Sequence, residues 1–199
     1  MVSRPGGRTA RTRTAVAAAL QEELLEVGYA GTTIERIARR AGVAKTTVYR
    51  RWASVGQLVV DLFHEAAAVE IPIADTGSFE GDLRALARSA VALLLHPRSR
   101  AVFDIVVGEA IHDEAARAAL TDFFAGRVAN AAPIVARAVA RGEIPADTDA
   151  AEVIRQLGAP YYARLYITGD PIGEADADRA AAVVATAARA GLLGQARAG

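Results

Sequence analysis

Apolar residues recur along this chain at three- and four-residue spacing, and β-branched runs are scarce, so the pattern is that of an almost wholly helical protein. Val16, Ala19, Leu20, Leu24 and Val27 share one face of a first helix expected over 12–27, and Gly28 stands where a C-terminal glycine cap belongs. In the next segment, "GTTIERIARRAG", Ile34, Ile37, Ala38 and Ala41 follow at i, i+3, i+4 and i+7. Thr32 and Glu35 are spaced as a capping box for that helix. Gly42 permits a tight turn, and Val43 plugs the angle between helices. A short helix over 44–52 turns Val48 and Trp52 inward and leaves Lys45, Thr46, Thr47, Tyr49, Arg50 and Arg51 outside. Ser54 and Gln57 form a second capping box, which opens helix four.

The rest of the chain continues in helices. "IPIADTGS" after Glu70 reads as a loop. Helices are expected over 79–95, from Pro97 to near His112, over 114–141 with a kink at Pro133, over 150–167 and over 174–190. Asp149 and Glu152 read as the cap of the eighth, which makes about nine helices in all. Of the 199 residues 52% are hydrophobic, enough for one or two domains with a real core. No apolar stretch reaches the ~18 residues needed to span a bilayer. The basic N-terminus is not followed by an apolar signal core, so a cytoplasmic protein with no membrane partner is expected. The absence of cysteine excludes disulfides and thiolate chemistry.

Charge changes this picture. The formal net charge is zero, yet residues 1–52 carry ten Arg or Lys against four Glu (10 − 4 = +6), and residues 53–199 carry 13 basic against 19 acidic residues (13 − 19 = −6). A basic end on an acidic body suits a polyanion partner. The exposed face of helix three has the chemistry for one. Its Arg and Lys attract phosphates and read guanine edges, while its Thr and Tyr hydroxyls bond phosphate oxygens.

From Arg13 to Phe63 the chain resembles the DNA-binding domain of the TetR family of transcriptional regulators. The residues that carry the resemblance are Gly28-Tyr29, Gly31-Thr32-Thr33, Ile37-Ala38, Ala41-Gly42-Val43, Thr47-Val48-Tyr49 and Leu58, with Trp52 in the aromatic position. The resemblance implies that the third helix is a recognition helix in the major groove. Lys45, Thr46, Thr47, Tyr49, Arg50 and Arg51 would then face DNA, with Tyr49 on a phosphate and Thr33 on the backbone. Two departures stand out. Ala44 replaces the usual Ser at the cap of the recognition helix, and "SVGQ" at 54–57 lacks the usual lysine. Ser54 and Gln57 still allow helix four to offer its N-terminal amides to a phosphate. Arg11, with Arg4, Arg8 and Arg13, forms either a solvated tail or an arm that tracks DNA.

"GEIP" at 142–145 and "GAPYY" at 158–162 resemble a C-terminal domain common in the same family. That domain implies an effector cavity among the scarce aromatics, lined here by Phe63, Phe103, Val107, Phe123, Phe124, Arg127, Tyr162 and Tyr166, and fitted to a small apolar or aromatic molecule. The plainer reading is that these aromatics fill the core. The resemblance also implies a homodimer, with Val153, Leu157 and Tyr161 of helix eight and Val183, Val184 and Ala187 of helix nine at the interface; packing within the chain is the alternative.

No enzyme emerges. Glu109 and His112 have the i, i+3 spacing of two metal ligands, but nothing completes a site, and neither a nucleophile motif nor a phosphate-cradling glycine loop occurs. No metal or cofactor is expected. The reading is an all-α protein with an N-terminal three-helix helix-turn-helix DNA-binding domain over 10–70 (motif 33–52) and a C-terminal effector-binding and dimerisation domain over 71–199. It would be a homodimeric, sequence-specific regulator that binds double-stranded operator DNA, a repressor released by a small-molecule effector. A helical small-molecule binder without a DNA role fits the charge asymmetry poorly. An effector-independent architectural DNA binder leaves the large acidic body unexplained.

Overall fold

A computed structural model describes residues 6–67 and 73–194. Among these are nine α-helices: α1 (Gly6–Gly31), α2 (Ile34–Arg40), α3 (Lys45–Tyr49), α4 (Val55–Ala67), α5 (Phe79–Leu95), α6 (Pro97–Glu109), α7 (Glu114–Ala140), α8 (Ala150–Ala163) and α9 (Glu174–Arg189). A π-helical turn, Arg164–Thr168, extends α8, which accounts for the longer helix expected there. The only pairing of extended backbone among the described residues is a bridge between Thr148 and Gly194. None of the described helices is long and apolar enough to cross a membrane.

The chain forms two compact units that interleave in sequence. One comprises Met1–Val69 with His96–Phe123, the other Glu70–Leu95 with Phe124–Gly199. The expected cut near residue 70 therefore misses one return of the chain, because α6 and the start of α7 pack with the N-terminal helices.

In the first unit, α1 contributes Val16, Ala19, Leu20 and Leu24 to the core, while Val27 stays exposed. Gly28 interrupts the helix at φ 68 and ψ 176, a positive-φ extended conformation open to glycine and different from the αL geometry of the expected cap. The expected Thr32–Glu35 capping box is replaced by a single side-chain cap one residue on. Thr33 is the N-cap of α2, and its hydroxyl accepts the Arg36 backbone N–H (3.3 Å). Thr32 is buried and donates its own hydroxyl back to the Gly28 carbonyl (2.7 Å). At α4 the Ser54 hydroxyl accepts the Gln57 N–H (3.1 Å) as expected, but the Gln57 amide oxygen reaches the Ala53 N–H (2.8 Å) rather than that of Ser54. Ala44 caps α3 without a side-chain bond.

α1 and α2 are clamped by charge. Glu23 is 1% exposed and accepts from Arg36 Nε (2.5 Å) and Arg40 Nε (2.6 Å). Its carboxyl is held below the ordinary 4.5, chiefly by the Arg36 hydrogen bond, against the upward push of burial. Arg40 also meets Glu22 and Glu26. Phe63, Phe103 and Phe123, from α4, α6 and α7, are buried against one another with ring centroids 4.9–5.8 Å apart.

The second unit packs α5, α8 and α9 around Phe79, Leu83, Val91, Val153, Leu157, Tyr161 and an alanine-rich face of α9. The "GEIP" loop caps α5: Glu143 accepts the Phe79 N–H (2.8 Å), and Ile144 is buried. Buried Asp82 accepts from the Thr76 N–H (2.7 Å), the Thr76 hydroxyl (2.8 Å) and Arg137 Nη2 (3.0 Å). Asp149 caps α8 through the Ala151 N–H (2.8 Å), but Glu152 turns to Arg155 and Gln156 instead of closing a box. α7 continues through Pro133 as one helix.

Candidate nucleic-acid interface

The short α3 is fixed from behind. Val48 is fully buried, and Trp52 is buried just beyond the helix end. The Trp52 indole N–H donates to Asp61 Oδ2 (2.8 Å), and the same oxygen accepts from Arg13 Nη2 (3.0 Å). One carboxylate on α4 thus ties the segment that follows α3 to α1. Gly42 makes the turn before α3 at φ 66, where a side chain would be strained.

With its inner residues held, α3 turns a polar face outward. Lys45, Thr46, Tyr49, Arg50 and Arg51 are exposed, and Thr47 is half-buried. The Arg51 guanidinium lies over the Trp52 ring, 5.0 Å from its centroid, which restrains an otherwise long side chain. Thr33 and Ser54, at the starts of α2 and α4, are exposed and engaged as caps. The Tyr49 hydroxyl donates to Glu35 Oε1 (2.9 Å) across the turn.

The N-terminal arm is corrected by the structure. α1 begins at Gly6, so Arg11 is an exposed helical residue, and Arg13 is drawn to Asp61. Gly6 and Gly7 fall in the first turn, whose N–H groups have no intrahelical partner in any helix, and the run of residues from Arg8 onward carries the helix. Arg4 and the side chain of Arg8 lie outside the described residues. Arg13, Arg36 and Arg40 meet carboxylates of their own unit, so the +6 count overstates the charge left facing outward.

The residues assigned to an effector cavity divide between the units. Phe63, Phe103 and Phe123 pack on one another, with Val107 half-buried on the same unit's α6, which is core geometry. In the second unit the exposed Phe124 meets half-buried Tyr162 edge-to-face at 5.4 Å. Half-buried Arg127 is on the same helix as Phe124, and Tyr166 is in the π-helical turn. Burial lowers the Arg127 guanidinium and pushes the Tyr162 phenol up to about 12.

Of the expected interface residues, Val153, Leu157, Tyr161 and Val184 are buried within the protomer and have no surface left for a second copy. Val183, 62% exposed, and half-buried Ala187 remain available. Among the described residues no cluster of three or more His, Asp or Glu side chains could hold a metal ion.

Two residues of this region were not legible as functional in the sequence. Glu35 is spaced as a capping partner, and nothing in the sequence singles out Asp61; both act across the fold, where local spacing carries no signal.

Known proteins match this arrangement in both halves. The family model for bacterial regulatory proteins of the tetR family matches residues 16–62, and that for a tetracyclin repressor-like C-terminal domain matches residues 73–184. The HTH-type transcriptional regulator AqdR of Rhodococcus erythropolis is 31% identical over 163 residues, 81% of this chain and 76% of that protein. A DNA-binding transcriptional repressor TetR of Mycobacteroides abscessus is 33% identical over 174 residues, 83% of this chain and 86% of that protein. The crystal structure of the TetR family transcription regulator SCO0332 superposes with a TM-score of 0.68 at 32% identity, covering 88% of this chain and 97% of that one. None of these relatives is an enzyme by its description; the chain belongs to the TetR family of DNA-binding transcriptional regulators.

Proposed function

We propose that the protein is a cytoplasmic, homodimeric repressor that holds a near-palindromic operator through Lys45, Thr46, Thr47, Tyr49, Arg50 and Arg51 and releases it when a small molecule binds the second unit. The observation that supports this best is the division of labour on α3: Val48 and Trp52 are buried, while Lys45, Tyr49, Arg50 and Arg51 face solvent together. Two such helices related by a two-fold axis would meet half-sites about one DNA turn, ~34 Å, apart. Exposed Val183 and half-buried Ala187 support α9 as part of the dimer face.

The effector reading rests on Phe124, Arg127 and Tyr162. The half-buried Arg127 guanidinium brings N–H donors to the same helix as Phe124, so an aromatic molecule carrying a hydrogen-bond acceptor would suit the place. Such a ligand regulates only through a difference in affinity between the two protein shapes.

Binding of a selected operator duplex and of mixed-sequence DNA tests the DNA face. Lys45→Ala or Arg50→Ala should cost roughly 1–3 kcal/mol on the operator if the contact reads a base, and should weaken all sequences alike if it meets only phosphate. Unchanged affinity of both variants for both duplexes would remove the assignment.

A further inference from the structure

We infer that Glu35 is a positioning residue of the DNA-binding face, an internal stand-in for phosphate that occupies Tyr49 until DNA displaces it. This rests on the reading of α3 given above.

The argument starts from donor counting. A tyrosine hydroxyl has one proton to donate. In the structure that proton goes to Glu35 Oε1 at 2.9 Å. A DNA phosphate is an anionic oxygen acceptor of the same kind as a carboxylate, so Tyr49 cannot donate to both. Glu35 is exposed, at the start of α2, beside the capping hydroxyl of Thr33. Lys45 is also near enough to attract it. Of the side chains assigned to DNA, Tyr49 is hydrogen-bonded to this carboxylate, and Lys45 and Thr33 act on its charge.

That carboxylate is kept ionised. It is held below its ordinary 4.5 chiefly by its own backbone N–H at the open end of α2 and then by the Tyr49 hydroxyl, against the upward push of desolvation, with Lys45 and Thr33 adding smaller downward effects. At neutral pH the stand-in carries a full negative charge, on a face that must approach phosphates.

Two consequences follow. Every DNA contact through Tyr49 begins with the loss of the Glu35 bond, which lowers affinity for all sequences. The same bond also fixes the Tyr49 ring before DNA arrives. Substitution of Glu35 should thus tighten DNA binding in general and couple to position 49 in particular.

The test is a double-mutant cycle on the full chain with Glu35→Ala and Tyr49→Phe. Affinities are measured against an operator selected by the wild-type protein from a random pool and against mixed-sequence duplex of the same length. Glu35→Ala should tighten both complexes by roughly three- to tenfold, the range of an ordinary net hydrogen bond, since Glu35 and Tyr49 are both exposed and solvent weakens the charge-assisted contact. In the Tyr49→Phe background the gain should shrink by about twofold or more, since no hydroxyl remains to be released. Glu35→Gln keeps an acceptor without the charge and should fall between wild type and Glu35→Ala, which separates the charge from any loosening of α2. Circular dichroism checks that each variant is folded.

Equal gains in both backgrounds would mean that Glu35 acts by charge alone and would overturn the inference. So would a selective loss of operator affinity in Glu35→Ala, the mark of a carboxylate that reads a cytosine amino group. If Tyr49→Phe by itself changes neither affinity, the assignment of Tyr49 to the DNA face fails, and the inference falls with it. A weakened Tyr49→Phe with additive Glu35 effects sinks the Glu35 inference alone.

Discussion

Replacing Glu23 by Gln should weaken the first unit by about 2 kcal/mol at neutral pH. The carboxylate is 1% exposed and accepts two guanidinium N–H bonds, at 2.5 and 2.6 Å. Hydrogen bonds to charged groups contribute about 1.5–3 kcal/mol each, so the pair has an upper value of about 3–6 kcal/mol. Two facts reduce it. The Arg36 and Arg40 side chains remain 33% and 31% exposed and can turn to water, and Arg40 keeps Glu22 and Glu26. Glutamine also retains one acceptor oxygen. What remains is about 2 kcal/mol, or a fall of roughly 4–8 °C in melting temperature for a chain of this size.

The pH dependence gives a second, independent reading. The folded carboxyl lies below its ordinary 4.5, because the Arg36 and Arg40 bonds outweigh desolvation. A depressed carboxyl stabilises the fold fully above the unfolded value, and that contribution disappears as pH falls through the folded one. Urea unfolding should therefore show a constant gap between wild type and Glu23→Gln from pH 7 to about 5, closing at lower pH. A gap under about 0.5 kcal/mol at pH 7, within the range of an ordinary surface change, would refute the clamp. So would a gap that does not respond to acid.

Asp82→Ala leaves the Thr76 N–H and Arg137 without their shared acceptor and should destabilise the second unit by about 3 kcal/mol, read as a lower urea midpoint. Gly42→Ala meets no atom within 4 Å, so its cost is the left-handed backbone alone, about 1–2 kcal/mol; a larger loss in thermal melts would indicate an unrecognised packing role. The buried Tyr161 hydroxyl has no hydrogen-bond partner, and burial pushes its phenol up to about 12. Tyr161→Phe should thus be neutral or stabilising by up to about 1 kcal/mol, and a clear loss of stability would show that the hydroxyl is satisfied after all.

Much of the helical plan is legible in the sequence because its signals are local. α5 and α9 start and stop within one residue of the expected positions, where periodicity is strong and the flanks carry Gly or Pro. The inner residues of the recognition segment, Val48 and Trp52, follow from the same period, and with them the outward set from Lys45 to Arg51. Choices between neighbours were decided by the tertiary structure. Thr33 rather than Thr32 caps α2, because the Thr32 hydroxyl is buried against the Gly28 carbonyl. Val184 fills the protomer's core, while Val183 beside it faces out, since a helix turns 100° per residue and only the packed neighbours say which of two valines is inside.

Long-range charge pairing left no trace in the sequence at all. Glu23 finds Arg36 and Arg40, Asp61 finds Arg13 and Trp52, Glu35 finds Tyr49, and Asp82 finds Arg137, across 9 to 55 residues. Net charge counts every arginine of the basic end alike. Only the fold brings carboxylates to Arg13, Arg36 and Arg40 and leaves Lys45, Arg50 and Arg51 exposed on α3, because Coulomb and hydrogen-bond energies depend on distances that the order of residues does not contain.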